Sequence, residues 1–164
     1  MALLTHHRLW LLIASASAAL ALASILITEG LALQPCHLCI FQRLLFMLIA
    51  PLALIAALTK GWLLRISGIL ATLVALVGTA TAGYQTWLQA QPEGSVSCLG
   101  PDMGPIEQVV EWLGRLQPTL FMATGFCEDV ALVILGLSLA QWSLLAFLLG
   151  LGLSLWLLSR SRLE

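Results

Sequence analysis

Two thiols separated by two residues open an apolar stretch in Gln34-Pro35-Cys36-His37-Leu38-Cys39-Ile40-Phe41-Gln42-Arg43. A disulfide across that spacing closes a very small ring. It gains little from loop closure and tends to strain, so it makes a poor staple and a good exchanger. Pro35 and the apolar run behind the motif place both sulfurs near a helix N-terminus, where orphan amides and the helix dipole stabilise thiolate. Arg43 follows Cys39 by four residues and Cys36 by seven, so the three share one helix face. An arginine just inside a membrane segment is costly and commonly functional. Either it stabilises thiolate at Cys39 or polarises a ligand oxygen, or it snorkels to the interface. No second close-spaced ligand pair accompanies His37, which argues against a metal site. His37 reads as a neighbour that tunes the thiols, and His6 and His7 read as solvated terminal residues.

Cys98 and Cys127 stand further on, with 28 residues between them. Ser95-Val96-Ser97-Cys98-Leu99-Gly100-Pro101 reads as flexible and exposed, and Thr124-Gly125-Phe126-Cys127-Glu128 as turn-like. This pair is either a structural staple or a second, exposed exchangeable pair, since attack by another thiol needs access. No phosphate loop, paired-carboxylate site or serine triad is visible, so thiol chemistry is the chemistry on offer.

The elements that must position these residues are membrane spans. The chain has 164 residues, 60% hydrophobic and 9% charged, against roughly 25% charged in soluble domains. Net charge is −1 with no basic patch, which excludes a nucleic-acid partner. Leu9 to Ile27 is an uncharged run of 19 residues, long enough to cross a hydrocarbon core of about 30 Å and longer than a signal-peptide core. Further runs cover Ile40 to Leu58, kinked by Pro51, then Ile66 to about Leu88, and Trp142 to Leu158. Spans are therefore expected at about 9–27, 40–58, 66–88 and 142–158, in a single domain over 1–164. Outer loops are expected at about 28–39 and 89–141. Arg8, Lys60, Arg65, Arg160 and Arg162 flank the ends on one side, and the other side carries Arg115 as its one basic residue. The positive-inside rule puts both termini in the cytoplasm and all four cysteines outside, where disulfides persist.

Within the long outer segment, Ile106, Val109, Val110, Leu113 and Leu116 recur at helical spacing behind Pro105. A short amphipathic helix is expected there, lying on the membrane or packed on the bundle. Residues 131–139 are apolar but too short to span, and are expected to lead into the last helix or dip into the interface. Small residues form stripes, Ser17, Ala21, Ser24 and Thr28 in the first span and Gly68, Thr72, Ala75, Thr79 and Ala82 in the third, with Ser143, Ala146, Gly150 and Ser154 in the fourth. Such stripes let helices approach closely. The expected fold is all-α, an integral membrane four-helix bundle with a long second outer loop.

Four spans, Cys36-His37-Leu38-Cys39-Ile40-Phe41-Gln42-Arg43, the run Phe121-Met122-Ala123-Thr124-Gly125-Phe126-Cys127, and Leu135-Gly136-Leu137 with Gln141-Trp142 beyond it together resemble the DsbB family. These are the disulfide bond formation proteins of bacterial inner membranes. Two departures stand out. The family often carries tryptophan where this chain has Leu132, and some members carry histidine near the place of Gln85. These substitutions are expected to alter loop packing and quinone contacts without touching the thiols or Arg43.

The resemblance implies a protein disulfide:quinone oxidoreductase with Cys36, Cys39, Cys98 and Cys127 as its redox residues. A reduced DsbA-like thioredoxin-fold protein of the periplasm would attack the Cys98–Cys127 disulfide, at Cys98. Electrons would pass to the Cys36–Cys39 pair, and Cys39 beside Arg43 would donate to a membrane quinone, ubiquinone or menaquinone. A quinone site at Cys39 and Arg43, membrane lipid as surroundings and no metal complete that expectation. Two other readings stay open on the residues alone: a membrane thiol reductase of the epoxide-reductase kind, and a scaffold with two structural disulfides.

Overall fold

The computed structural model describes residues 2–92, 104–130 and 132–161. Four long helices carry it: α1 Ala2–Gly30, α2 His37–Leu58, α3 Trp62–Gln89 and, last in the chain, α6 Leu139–Ser161. All four are long and apolar enough to cross a membrane. Each extends beyond its uncharged run because polar residues at the ends still fit helical geometry. In α1 the Thr28 hydroxyl donates to the Ser24 carbonyl, 2.7 Å away, and the helix runs on to Gly30. α2 continues through Pro51 to Leu58. The turn into α3 is three residues long and closes at Gly61, whose φ of +67° suits a residue without Cβ.

α1 packs on α2, α2 on α3, and α3 on α6, with a lighter α1–α6 contact closing the bundle. Its core runs from Trp10 and Ile13 through Phe46, Ile49 and Ala75 to Phe147 and Leu157. Phe46 and Phe147 stack with ring centroids 4.1 Å apart. A glycine of α3 outside the expected stripe, Gly78, is what admits that stack, since a Cβ there would overlap the Phe147 ring. Many leucines point outward, among them Leu12, Leu22, Leu26, Leu73 and Leu149. An apolar belt of that extent has no place in water and needs none of its own partners in lipid.

The antiparallel helices gather Arg8, Lys60, Arg65 and Arg160 at one pole and Cys36, Cys39 and Cys127 at the other. At the basic pole His6 and His7 are half-buried and hydrogen-bonded, where solvated residues were expected. His6 Nε2 lies 3.3 Å from the Leu157 carbonyl of α6, and His7 Nδ1 hydrogen-bonds the Ala57 carbonyl of α2. The second turn of α1 thus reaches carbonyls near the C-terminal ends of two neighbours, of which Ala57's is one that its own helix leaves open.

Between α3 and α6 the described residues form α4 Pro105–Leu116, which has Pro105 in its first turn, and a single turn α5 Pro118–Phe121. The packing of α4 on the rest of the protein is partial. Val110 is buried and Ile106 packs toward the cysteines, whereas Val109, Trp112 and Leu116 stay exposed. The stretch before the last helix is a small hairpin, β1 Val133–Ile134 paired antiparallel with β2 Leu137–Ser138. Leu135 and Gly136 turn it with φ of +53° and +82°, the paired positive values of a tight hairpin turn. α6 starts earlier than the apolar run suggests because Ser138 and Gln141 form a capping box. Gln141 N–H donates to Ser138 Oγ at 3.3 Å, and Ser138 N–H donates back to Gln141 Oε1 at 2.8 Å.

Candidate active site

The turn between α1 and α2 is stitched to the segment that follows α5. The Thr124 and Gly125 amides both donate to the Pro35 carbonyl, at 2.9 and 3.1 Å, and Cys36 bridges Gly125 in parallel. Gly125 allows this approach, because a Cβ there would overlap the Gln34 carbonyl oxygen. The stitch carries Cys127 into the protein. Cys127 is 0% exposed and packs with Cys36, Leu38, Leu88 and Ile106. The expectation of an exposed Cys127 is therefore corrected: the turn-like sequence around it is pinned by backbone hydrogen bonds. Cys98, its expected partner, lies outside the described residues.

Cys36, Cys39 and Cys127 are thiols here. Cys36 caps α2, its sulfur accepting the Cys39 amide at 3.3 Å, and its S–H donates to Cys39 Sγ at 2.9 Å. Hydrogen bonding with Cys127, then with Cys39, together with burial, pushes the Cys36 thiol far above the usual thiol range. Cys36 thus sits between the other two sulfurs, touching both.

Arg43 does not snorkel. It is 4% exposed and turns inward. Its Nε donates to Ser24 Oγ at 2.9 Å, Nη1 to the Leu120 carbonyl at 2.8 Å, and Nη2 to Thr28 Oγ1 at 2.7 Å and the Ser24 carbonyl at 3.2 Å. The guanidinium has five N–H groups, so one on Nη1 stays uncommitted among the described residues. No carboxylate pairs with it there, and it acts electrostatically on Cys39. Ser24 and Thr28 belong to the stripe read as packing alone. Their partner was legible as the one arginine inside a span, one helix away.

Gln85 corrects a further expectation, that it leaves the thiols untouched. Its Nε2 donates to Cys39 Sγ at 3.0 Å and to Cys36 Sγ at 3.3 Å, while its Oε1 accepts from Gln42 Nε2 at 2.8 Å. Gln42 follows Cys39 by three residues and so faces the same way, which was the signal that could have found this pair. His37 makes no hydrogen bond to either sulfur among the described residues, and its Nδ1 is buried without a partner.

A cavity of about 310 Å³ opens beside these groups, bounded by Cys36, Cys39, Gln42, Arg43 and Gln85 on the polar side. Ile27, Phe46, Leu139 and Trp142 supply apolar wall. Its size and its few converging polar groups suit a small, largely apolar ligand.

The family model described as disulfide bond formation protein DsbB matches residues 6–157. The chain belongs to the DsbB family. Several relatives named disulfide bond formation protein B are similar over most of both chains. That of Dechloromonas aromatica is 43% identical over 129 residues, 74% of this chain and 77% of its own. That of Saccharophagus degradans is 34% identical over 154 residues, 93% and 92% of the two chains, and that of Verminephrobacter eiseniae is 40% identical over 159 residues, 95% and 88%. This DsbB-family chain is accordingly a multi-pass membrane protein of disulfide bond formation.

Proposed function

We propose that the chain is a thiol:quinone oxidoreductase of a bacterial inner membrane, with the cysteine pole in the periplasm and the basic pole in the cytoplasm. The observation that carries the reading is the row Cys127, Cys36, Cys39, whose last two members border a cavity that also presents Arg43. A dithiol of a DsbA-like thioredoxin-fold partner attacks the Cys98–Cys127 disulfide at Cys98. The partner's second thiol releases Cys98, and the partner leaves as a disulfide. The Cys127 thiolate freed in the first attack displaces Cys39 from Cys36: a Cys36–Cys127 bond forms, the Cys36–Cys39 bond breaks, and the electron pair rests on Cys39. Arg43 and the Gln85 amide hold that negative charge.

The residues lining the cavity fit a quinone: an apolar wall for the ring, and a free guanidinium N–H with the Gln42 amide for its oxygens. When bound, a quinone supplies a sink for two electrons and two protons. Ile27, Phe46 and Trp142 would exclude water from it, and Cys39 would be the sulfur nearest to it in the order of transfer. The positive-inside distribution of Arg8, Lys60, Arg65 and Arg160 supports the orientation. Ubiquinone-analogue reduction by the purified chain in nanodiscs, driven by a reduced thioredoxin-fold dithiol, tests the reading. Cys36→Ser should abolish it, and full activity of that variant would sink the scheme.

A further inference from the structure

Gln42 and Gln85 form a two-member amide relay that ends on reacting sulfurs. Gln42 is 3% and Gln85 1% exposed, so neither amide is there for solvation. A primary amide has an accepting end and a donating end. Gln42 Nε2 occupies the Gln85 oxygen at 2.8 Å, which turns the Gln85 nitrogen toward Cys39 at 3.0 Å and Cys36 at 3.3 Å. One nitrogen carries two N–H groups, so it reaches both members of the pair. A flipped amide would set a carbonyl lone pair against sulfur instead. The relay spans α2 and α3, and it needs both glutamines for its polarity. A neutral amide also never loses its proton, unlike an imidazole at the same place.

We propose that Gln85 is a catalytic hydrogen-bond donor to the Cys36–Cys39 pair and that Gln42 is the positioning residue that fixes its direction. Negative sulfur exists only in the reduced pair, so a donor aimed at it stabilises the reduced form over the disulfide. The disulfide is thereby made more oxidising. This deepens the thiol-exchange reading and rests on it, but it asks nothing of quinone or partner.

The test uses the full chain in nanodiscs with Cys98→Ala and Cys127→Ala, so that one thiol pair remains and no acceptor is present. The Cys36–Cys39 disulfide and two glutathione thiols equilibrate with the dithiol and one glutathione disulfide, and alkylation mass shifts report the ratio. Hydrogen bonds to charged groups lead us to expect that Gln85→Leu shifts the equilibrium toward the Cys36–Cys39 disulfide by about tenfold to a hundredfold. Gln42→Leu shifts it the same way by less, and adding it to Gln85→Leu changes nothing more. Gln85→Glu, nearly isosteric, sets a carboxylate oxygen against the sulfurs in place of the donor and shifts the equilibrium toward the disulfide, and it decides the matter if the leucine variant does not fold. Equilibria within twofold of the parent for every folded Gln85 variant, or additive effects of the two glutamines, overturn the proposal. Loss of quinone reduction in the unmutated chain would count against the oxidoreductase reading and leave this equilibrium intact.

Discussion

Gly125→Ala should uncouple Cys127 from Cys36 while leaving the bundle alone. Gly125 lies outside every helix, and its missing Cβ is what lets residues 124–125 approach the Gln34 carbonyl. The added methyl must push the segment away from the α1–α2 turn. Two backbone hydrogen bonds to the Pro35 carbonyl, at 2.9 and 3.1 Å, are then lost or stretched. At about 0.5–1.5 kcal/mol net for each, the segment loses roughly 1–3 kcal/mol of its preference for the docked position. That corresponds to about a 5- to 150-fold drop in the effective concentration of Cys127 at Cys36. The quantity is measured directly in a Cys39→Ala, Cys98→Ala background, where the glutathione equilibrium of the remaining pair gives the effective concentration. Gly30→Ala is the control, since a methyl there meets nothing within 4 Å. If Gly125→Ala matches the control, the stitch does not hold Cys127 in place, and the exchange route through Cys36 loses its structural basis.

Arg43→Lys keeps a charge but cannot reproduce four hydrogen bonds in a fixed fork. With charged hydrogen bonds at about 1.5–3 kcal/mol, quinone reduction should fall by at least about tenfold, and a parent-like rate would remove Arg43 from the site. Gly78→Ala forces a methyl into the Phe147 ring that stacks on Phe46. Overpacking of this kind costs about 1–3 kcal/mol, readable as a lowered midpoint of denaturation in detergent, with the Cys36–Cys39 glutathione equilibrium unchanged. His7→Ala removes the hydrogen bond to the Ala57 carbonyl. Amide exchange should rise in the last turn of α2 by the factor that about 0.5–1.5 kcal/mol implies, and unaltered exchange there would mean that the contact contributes nothing.

The four helices were legible because lipid leaves one solution for an apolar run of that length, and run length and composition are local properties. Cys36, Cys39 and Arg43 were legible as a set because they share one helix and its period. What escaped depends on contacts between segments far apart in sequence. Burial of Cys127 rests on one carbonyl, Pro35, receiving two amides from a stretch whose own composition says only turn. The contact of Gln85 with both thiols depends on how α3 is rotated against α2, which a run of apolar residues does not encode. The histidine contacts at the basic pole fail for the same reason: a helix terminus is satisfied by whichever neighbour arrives. The capping box at Ser138 and Gln141 is a different case, since its spacing is a local signal. There the apolar count outweighed a capping pattern that lay in plain sequence.

The electrostatics of the site follow from what surrounds Arg43. A buried cation ordinarily needs a carboxylate, and its desolvation is costly without one. Here hydroxyls and carbonyls of α1 and α5 take the hydrogen bonds, no carboxylate stands in ion-pair contact among the described residues, and Glu29 acts on the guanidinium only through space. The neutral partners hold the guanidinium in position without cancelling its field. The charge acts on Cys39 first and on Glu29 second, so an ionised Cys39 gains from it directly. A carboxylate introduced at Ser24 would give the guanidinium a permanent contact partner. Ser24→Asp should therefore be at least as stable as the parent at neutral pH, yet hold its Cys36–Cys39 disulfide more firmly against glutathione. An unchanged equilibrium would show that the charge of Arg43 does not act on the sulfur.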